Sequence, residues 1–142
     1  MSERPRVLKA IRKCLSDAHS SFQEAMDVLD DMGRGSVGVG MTPLVGGFAM
    51  KDPKSGYRTA LISLDSAEKA LQPLAVRLRD GRVNATHFKE ERAMSLLGDL
   101  INFDYGVLIS MLSERRGRES VWYRLSELSK IAEEAYQLVS TE

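Results

Sequence analysis

The sequence predicts an all-α chain, an antiparallel up-down four-helix bundle with one long glycine-rich loop between its first two helices. Three observations carry that expectation. Four segments repeat apolar residues in steps of three and four, nothing outside the first connection alternates with period two, and the other two connections are short.

The first helix is expected over about 4–32. Leu8, Ile11, Leu15, Ala18, Phe22, Ala25, Leu29 and Met32 form its stripe, with Ser2 as N-cap, Pro5 in the first turn and Gly33 as the stop. The second, about 55–79, carries Tyr57, Ala60, Leu64, Ala67, Leu71, Leu74 and Leu78; Asp52-Pro53 or Ser55 opens it and Asp80-Gly81 closes it. Pro73 lies inside and is expected to kink it. A third helix, about 86–115 from an Asn84 or Thr86 cap, places Met94, Leu97, Ile101, Leu108 and Met111 on one line, with Ala93, Leu100, Val107 and Leu112 beside it. The fourth, about 119–140, reads Val121, Leu125, Leu128, Ala132, Ala135 and Val139.

At 142 residues the chain suits a single domain with a self-sufficient core. Twenty Lys and Arg balance twenty Asp and Glu, so a broad polyanion-binding surface is excluded and any basic site is local. One cysteine, Cys14, has no partner for an internal disulfide, and two histidines, His19 and His87, leave little for a metal centre. No metal or other cofactor is expected. Charges interrupt the basic N-terminus, and no window approaches 18 apolar residues, so the expectation is a soluble cytoplasmic protein with no membrane partner.

The first connection, residues 33–54, is unusual in length and content. Residues 33–56 hold seven of the eleven glycines, while 35–50 are uncharged and include Val37, Val39, Met41, Leu44, Val45, Phe48 and Met50. A loop this long is commonly functional or disordered, and its apolar content favours burial, either over its own bundle or against a partner or second copy. Met41, Leu44, Val45, Phe48 and Met50 are its candidate partner-binding anchors. Gly33 to Gly38 also spells the dinucleotide-binding pattern, but it lacks the preceding strand and following helix that aim backbone amides at a pyrophosphate.

Three further features stand out. Asp104 falls in line with Ile101 and Leu108, which predicts a buried polar residue bonded to Tyr57, Trp122, Tyr123 or an Arg, or else a ligand or subunit contact. Gly98 and Gly106, costly in a helix, suggest that another helix approaches there. Helix one sets Arg4, Arg6, Lys9, Arg12 and Lys13 against its own dipole, and Arg77, Arg79 and Arg82 should join that pole. Arg12, Lys13, Arg77 and Arg79 are the candidate phosphate-binding residues, although no aromatic residue is interleaved for base stacking.

Arg82 and His87 enclose four residues, a spacing similar to that of the HEPN helical-bundle ribonucleases. The resemblance implies metal-independent RNA cleavage, with the Arg holding phosphate and the His moving a proton or positioning a 2′-hydroxyl. It departs from the family at Val83, where a polar residue is usual after the Arg. His87, Glu90 and Glu91 can converge on one helical face, but a carboxylate metal site needs ligands from other helices. The leading expectation is a non-enzymatic, homo-oligomeric interaction protein that contacts a protein partner or second subunit through residues 33–54. Nucleic-acid binding or cleavage through Arg82 and His87 is the alternative.

Overall fold

The computed structural model describes residues 3–31, 53–113 and 117–141. Within them the chain is all helical: α1 (Glu3–Asp31), α2 (Pro53–Arg79), α3 (Glu91–Asn102), α4 (Tyr105–Leu112) and α5 (Gly117–Ser140), with a single 3-10 turn at Ala85–His87. Residues 33–50, with the proposed anchors Met41, Leu44, Val45, Phe48 and Met50, lie outside the described residues.

The stripes become the core. From α1, Leu8, Ile11, Leu15, Ala18, Phe22, Ala25 and Leu29 are buried; α2 buries Ala60, Leu64, Ala67, Leu71 and Leu74, and α5 buries Val121, Leu125, Leu128, Ala132, Ala135 and Val139. Pro73 sits on the exposed side of α2, and the helix continues beyond it to Arg79. Gly81 then adopts φ +81°, the left-handed conformation that glycine tolerates, and the Val83 N–H reaches back to the Arg77 carbonyl at 3.1 Å.

Where one long third helix is expected, the structure has two, bent by 46° at Phe103-Asp104. Local capping explains the break. Asp104 has extended backbone angles, and its carboxylate accepts the Gly106 N–H at 3.0 Å, so it opens α4 as the N-cap. Its side chain is therefore exposed, and the expectation of a buried polar Asp104 is corrected. Tyr105 takes the buried place instead; its hydroxyl donates to the Leu100 carbonyl at 2.8 Å and its ring stacks on Phe22, centroids 6.2 Å apart. That carbonyl, at the end of α3, is one of the acceptors a terminating helix leaves open. The bend also resets the helical phase: Leu108 and Leu112 stay buried while Val107 turns outward. Upstream, Asn84 caps the 3-10 turn, and α3 starts only at Glu91.

Helix α1 packs along both α2 and α5, while α3 and α4 each touch α2 and α5. Partners run in opposite senses. Arg4 donates to the His87 carbonyl while Cys14 lies against Leu74 and Arg77; His19 faces Glu133 while Gln23 donates to Ser129 at 2.7 Å; and Arg92 of α3 pairs with Glu134 of α5. Among the described residues no single helix is long and apolar enough to cross a membrane, and only the bent α3–α4 pair has the combined length and composition.

Candidate functional site

The basic pole is assembled by the antiparallel pairing of α1 with α2, which brings the start of one to the end of the other. Two of its charges are paired locally. The Lys13 ammonium contacts Asp17 at 2.9 Å, which raises the lysine pKa, and the Arg82 guanidinium contacts Asp80 at 2.9 Å. That second pairing holds the Asp80 carboxyl below its usual range and raises the Arg82 pKa. Arg12 and Arg77 are half-buried, Arg79 is exposed, and Arg77 lies close enough to Cys14 to bias its thiol toward ionisation. Burial outweighs that pull and raises the Cys14 pKa, so the thiol behaves as a small core residue.

Arg82 and His87 are held by separate local contacts. Arg82 folds back on Asp80, whereas the His87 Nδ1 receives the Asn84 N–H at 3.2 Å inside the capped 3-10 turn. The guanidinium is thus bonded to a carboxylate, and the imidazole Nδ1 is engaged in backbone capping. Glu90 sits at the N-cap position of α3 without a side-chain capping bond, and no group of three or more His, Cys, Asp or Glu side chains able to hold a metal occurs among the described residues.

The described residues form three concave features among others. Between α2 and α3 an open groove of about 590 Å³ is floored by Ala75, Leu78, Met94 and Ile101 and rimmed by Gln72, Arg79 and Asn102. On the other side of α3, about 370 Å³ lies between Asp99, Asn102 and Phe103 and the α5 residues Arg124, Glu127, Leu128 and Ile131. Gly98 lines both grooves. A smaller cleft of about 190 Å³ separates α1 from α5 at Ser16, His19, Glu133 and Tyr136; there the His19 Nε2 makes no hydrogen bond and stands 3.9 Å from the Glu133 carboxylate. Sequence reasoning missed this pair because the two residues are far apart in the chain and meet only when α1 and α5 align.

The helical glycines differ in what surrounds them. A Cβ on Gly106 would stand 3.1 Å from the Asp104 carboxylate, and one on Gly117 would collide with the Met111 carbonyl. One on Gly98 would meet nothing nearer than the Asn102 Nδ2 at 3.9 Å. The expected close approach of another helix at Gly98 and Gly106 is therefore not made within the described residues: Gly106 serves the cap, and a Cβ at Gly98 would make only ordinary contact with the Asn102 side chain.

The apolar surface is uneven as well. Helix α4, Tyr-Gly-Val-Leu-Ile-Ser-Met-Leu, is apolar on nearly every side, yet Val107 is 48% exposed, and on α2 Ile62 is 65% exposed. A helix apolar all round is normally buried on all sides. Comparison with known protein families, curated proteins and solved structures finds no match to this chain.

Proposed function

We propose that this chain works by binding rather than by catalysis. In this account it folds as an antiparallel up-down four-helix bundle, α3 and α4 serving together as a bent third member. It acts in the cytoplasm as a homo-oligomer, most simply a homodimer, and contacts a protein partner or second subunit through residues 33–54. Met41, Leu44, Val45, Phe48 and Met50 are its anchors, flexible methionine and rigid phenylalanine being suited to filling partner pockets.

One observation carries the proposal: exposed Val107 and Ile62 lie on α4 and α2, which touch each other. The antiparallel pairings set the end of α1, the start of α2 and the start of α5 at one pole, and α4 leads into α5 there. Asp31 and Pro53, the helix ends that flank the apolar segment in sequence, both belong to that pole. Exposed apolar helix surface and a sequence that is uncharged over 35–50 both favour association, since burying either one removes apolar area from water at about 25 cal/mol per Å². The pairing of Arg82 with Asp80 weighs against the nucleic-acid alternative.

Deleting residues 36–50 tests the proposal. Far-UV circular dichroism is expected to keep its helical signal, while light scattering after size exclusion shows a fall to monomer mass. A deletion variant with the mass of the full chain removes the support for a binding segment.

A further inference from the structure

We propose that the α3–α4 joint is a conformational latch: the Asp104 carboxylate and the Tyr105 hydroxyl together hold the pair bent, and the bend decides which apolar residues of α4 the chain presents to solvent. Only the consequence for association rests on the binding role proposed above.

The sequence of the pair fits two helical phases. Carrying the buried line of α3, Ala93, Leu97 and Leu100, straight on at about 3.6 residues per turn reaches Asp104, Val107 and Met111. The structure follows the other phase: after the 46° bend Tyr105, Leu108 and Leu112 are buried, while Asp104 and Val107 are exposed. Apart from Asp104, the straight line is apolar throughout. One carboxylate, costly to bury without partners, therefore separates the two phases.

Three hydrogen bonds hold the bent phase, and each uses a group that a continuous helix commits elsewhere, four residues away. The Tyr105 hydroxyl donates to the Leu100 carbonyl at 2.8 Å, the acceptor that a continuous helix gives to the Asp104 N–H. The Gly106 N–H donates to the Asp104 carboxylate at 3.0 Å instead of to the Asn102 carbonyl. The Val107 N–H donates to the Asp104 carbonyl at 3.1 Å instead of to that of Phe103. The Tyr105 bond and a continuous helix exclude each other, because residues five apart stand about 140° from one another round a helix axis. Release of both holds joins α3 and α4 into one helix over 91–112, with Val107 and Met111 turned inward and Tyr105 and Leu112 outward. A partner that covers Val107 binds the bent phase alone and so strengthens the latch.

Thiol labelling of single-cysteine chains, built on Cys14→Ala and read at high dilution, reports the phase. Val107→Cys is expected to label fast when Asp104 and Tyr105 are intact. Combining Asp104→Leu with Tyr105→Phe removes both holds and completes the apolar line, and is expected to slow that labelling about tenfold or more. Ser95→Cys, on the exposed side of α3 in both phases, should label at one rate throughout. Asp104→Asn keeps the cap and should leave Val107→Cys fast. Asp104→Leu alone, with the Tyr105 hydroxyl kept, should fall between the extremes, and it carries the test if the combined variant shows no cooperative melting. Fast labelling of Val107→Cys in the folded combined variant, or in Asp104→Leu where only that variant folds, overturns the proposal; so does slow labelling in Asp104→Asn. Sedimentation velocity separates the latch from the binding role. Slowed labelling with unchanged association supports the latch and removes Val107 from the contact surface, whereas fast labelling in every variant overturns the latch and leaves the effect of the 36–50 deletion standing.

Discussion

Replacing Tyr105 with phenylalanine removes one hydroxyl from the core and nothing else. The ring keeps its stack on Phe22 and its edge contact with Phe103, centroids 5.3 Å apart, so no cavity opens. What is lost is the hydrogen bond to the Leu100 carbonyl, within a residue that has no exposed surface. An unsatisfied buried acceptor costs about 1 to 3 kcal/mol. For a chain of this length that lowers the melting temperature by roughly 3 °C per kcal/mol. A second signature separates this hydroxyl from general damage. Burial pushes the Tyr105 phenol above its ordinary pKa of 10.0. The folded chain therefore keeps the proton at pH values where the unfolded chain has lost it, so stability contributed below about pH 10 is lost as the pH rises beyond that. Urea unfolding followed by circular dichroism at pH 7 and across the alkaline range is the assay. The wild type should lose up to about 1.4 kcal/mol per pH unit through this group, and Tyr105→Phe should lack that component. A Tyr105→Phe variant as stable as the wild type at pH 7, with an unchanged alkaline slope, refutes both the buried bond and the helix break that creates it.

Other changes follow from the same geometry. Asp104→Ala should cost about 1 kcal/mol in urea unfolding, because the cap to Gly106 is lost, while Asp104→Asn stays within a few tenths; equal losses in both would mean that charge, not capping, matters. Gly98→Ala should raise stability by up to about 1 kcal/mol in a variant held monomeric by the 36–50 deletion. Gly117→Ala should lower the melting temperature clearly, since its Cβ meets the Met111 carbonyl; the opposite order would contradict the spacing around these residues. Cys14 should react with a disulfide reagent far more slowly in the folded chain than in urea, and equal rates would show that the thiol is not buried.

The apolar stripes made the helices and most of the core legible, since the period of three and four residues that picks out Leu15, Phe22, Leu64 and Leu125 is the one that burial imposes. The break in the third stripe was not. Asp104 keeps perfect helical spacing with Ile101 and Leu108, and periodicity cannot distinguish a polar residue in a core line from one that ends the line. The signal that could have found it is local: Asp is a favoured N-cap, and here its carboxylate receives the amide of a glycine two residues later. Similarly, Asn84 was legible as a cap but not as the cap of a short turn ahead of α3. For the candidate site, the charges at the basic pole were legible, but their pairing was not, because Lys13 with Asp17 and Arg82 with Asp80 depend on side-chain geometry. The α3 grooves were beyond sequence reasoning altogether, being the space left between helices whose separation no single stripe encodes.

The central claim is that this chain functions by association, and the mass of the full chain in solution, compared with the 36–50 deletion, tests it most directly. Sedimentation equilibrium across a wide concentration range is expected to show an associating full chain of 15.8 kDa protomers and a deletion variant that stays monomeric with its helical content intact. Identical association in the two, at any concentration reached, contradicts it.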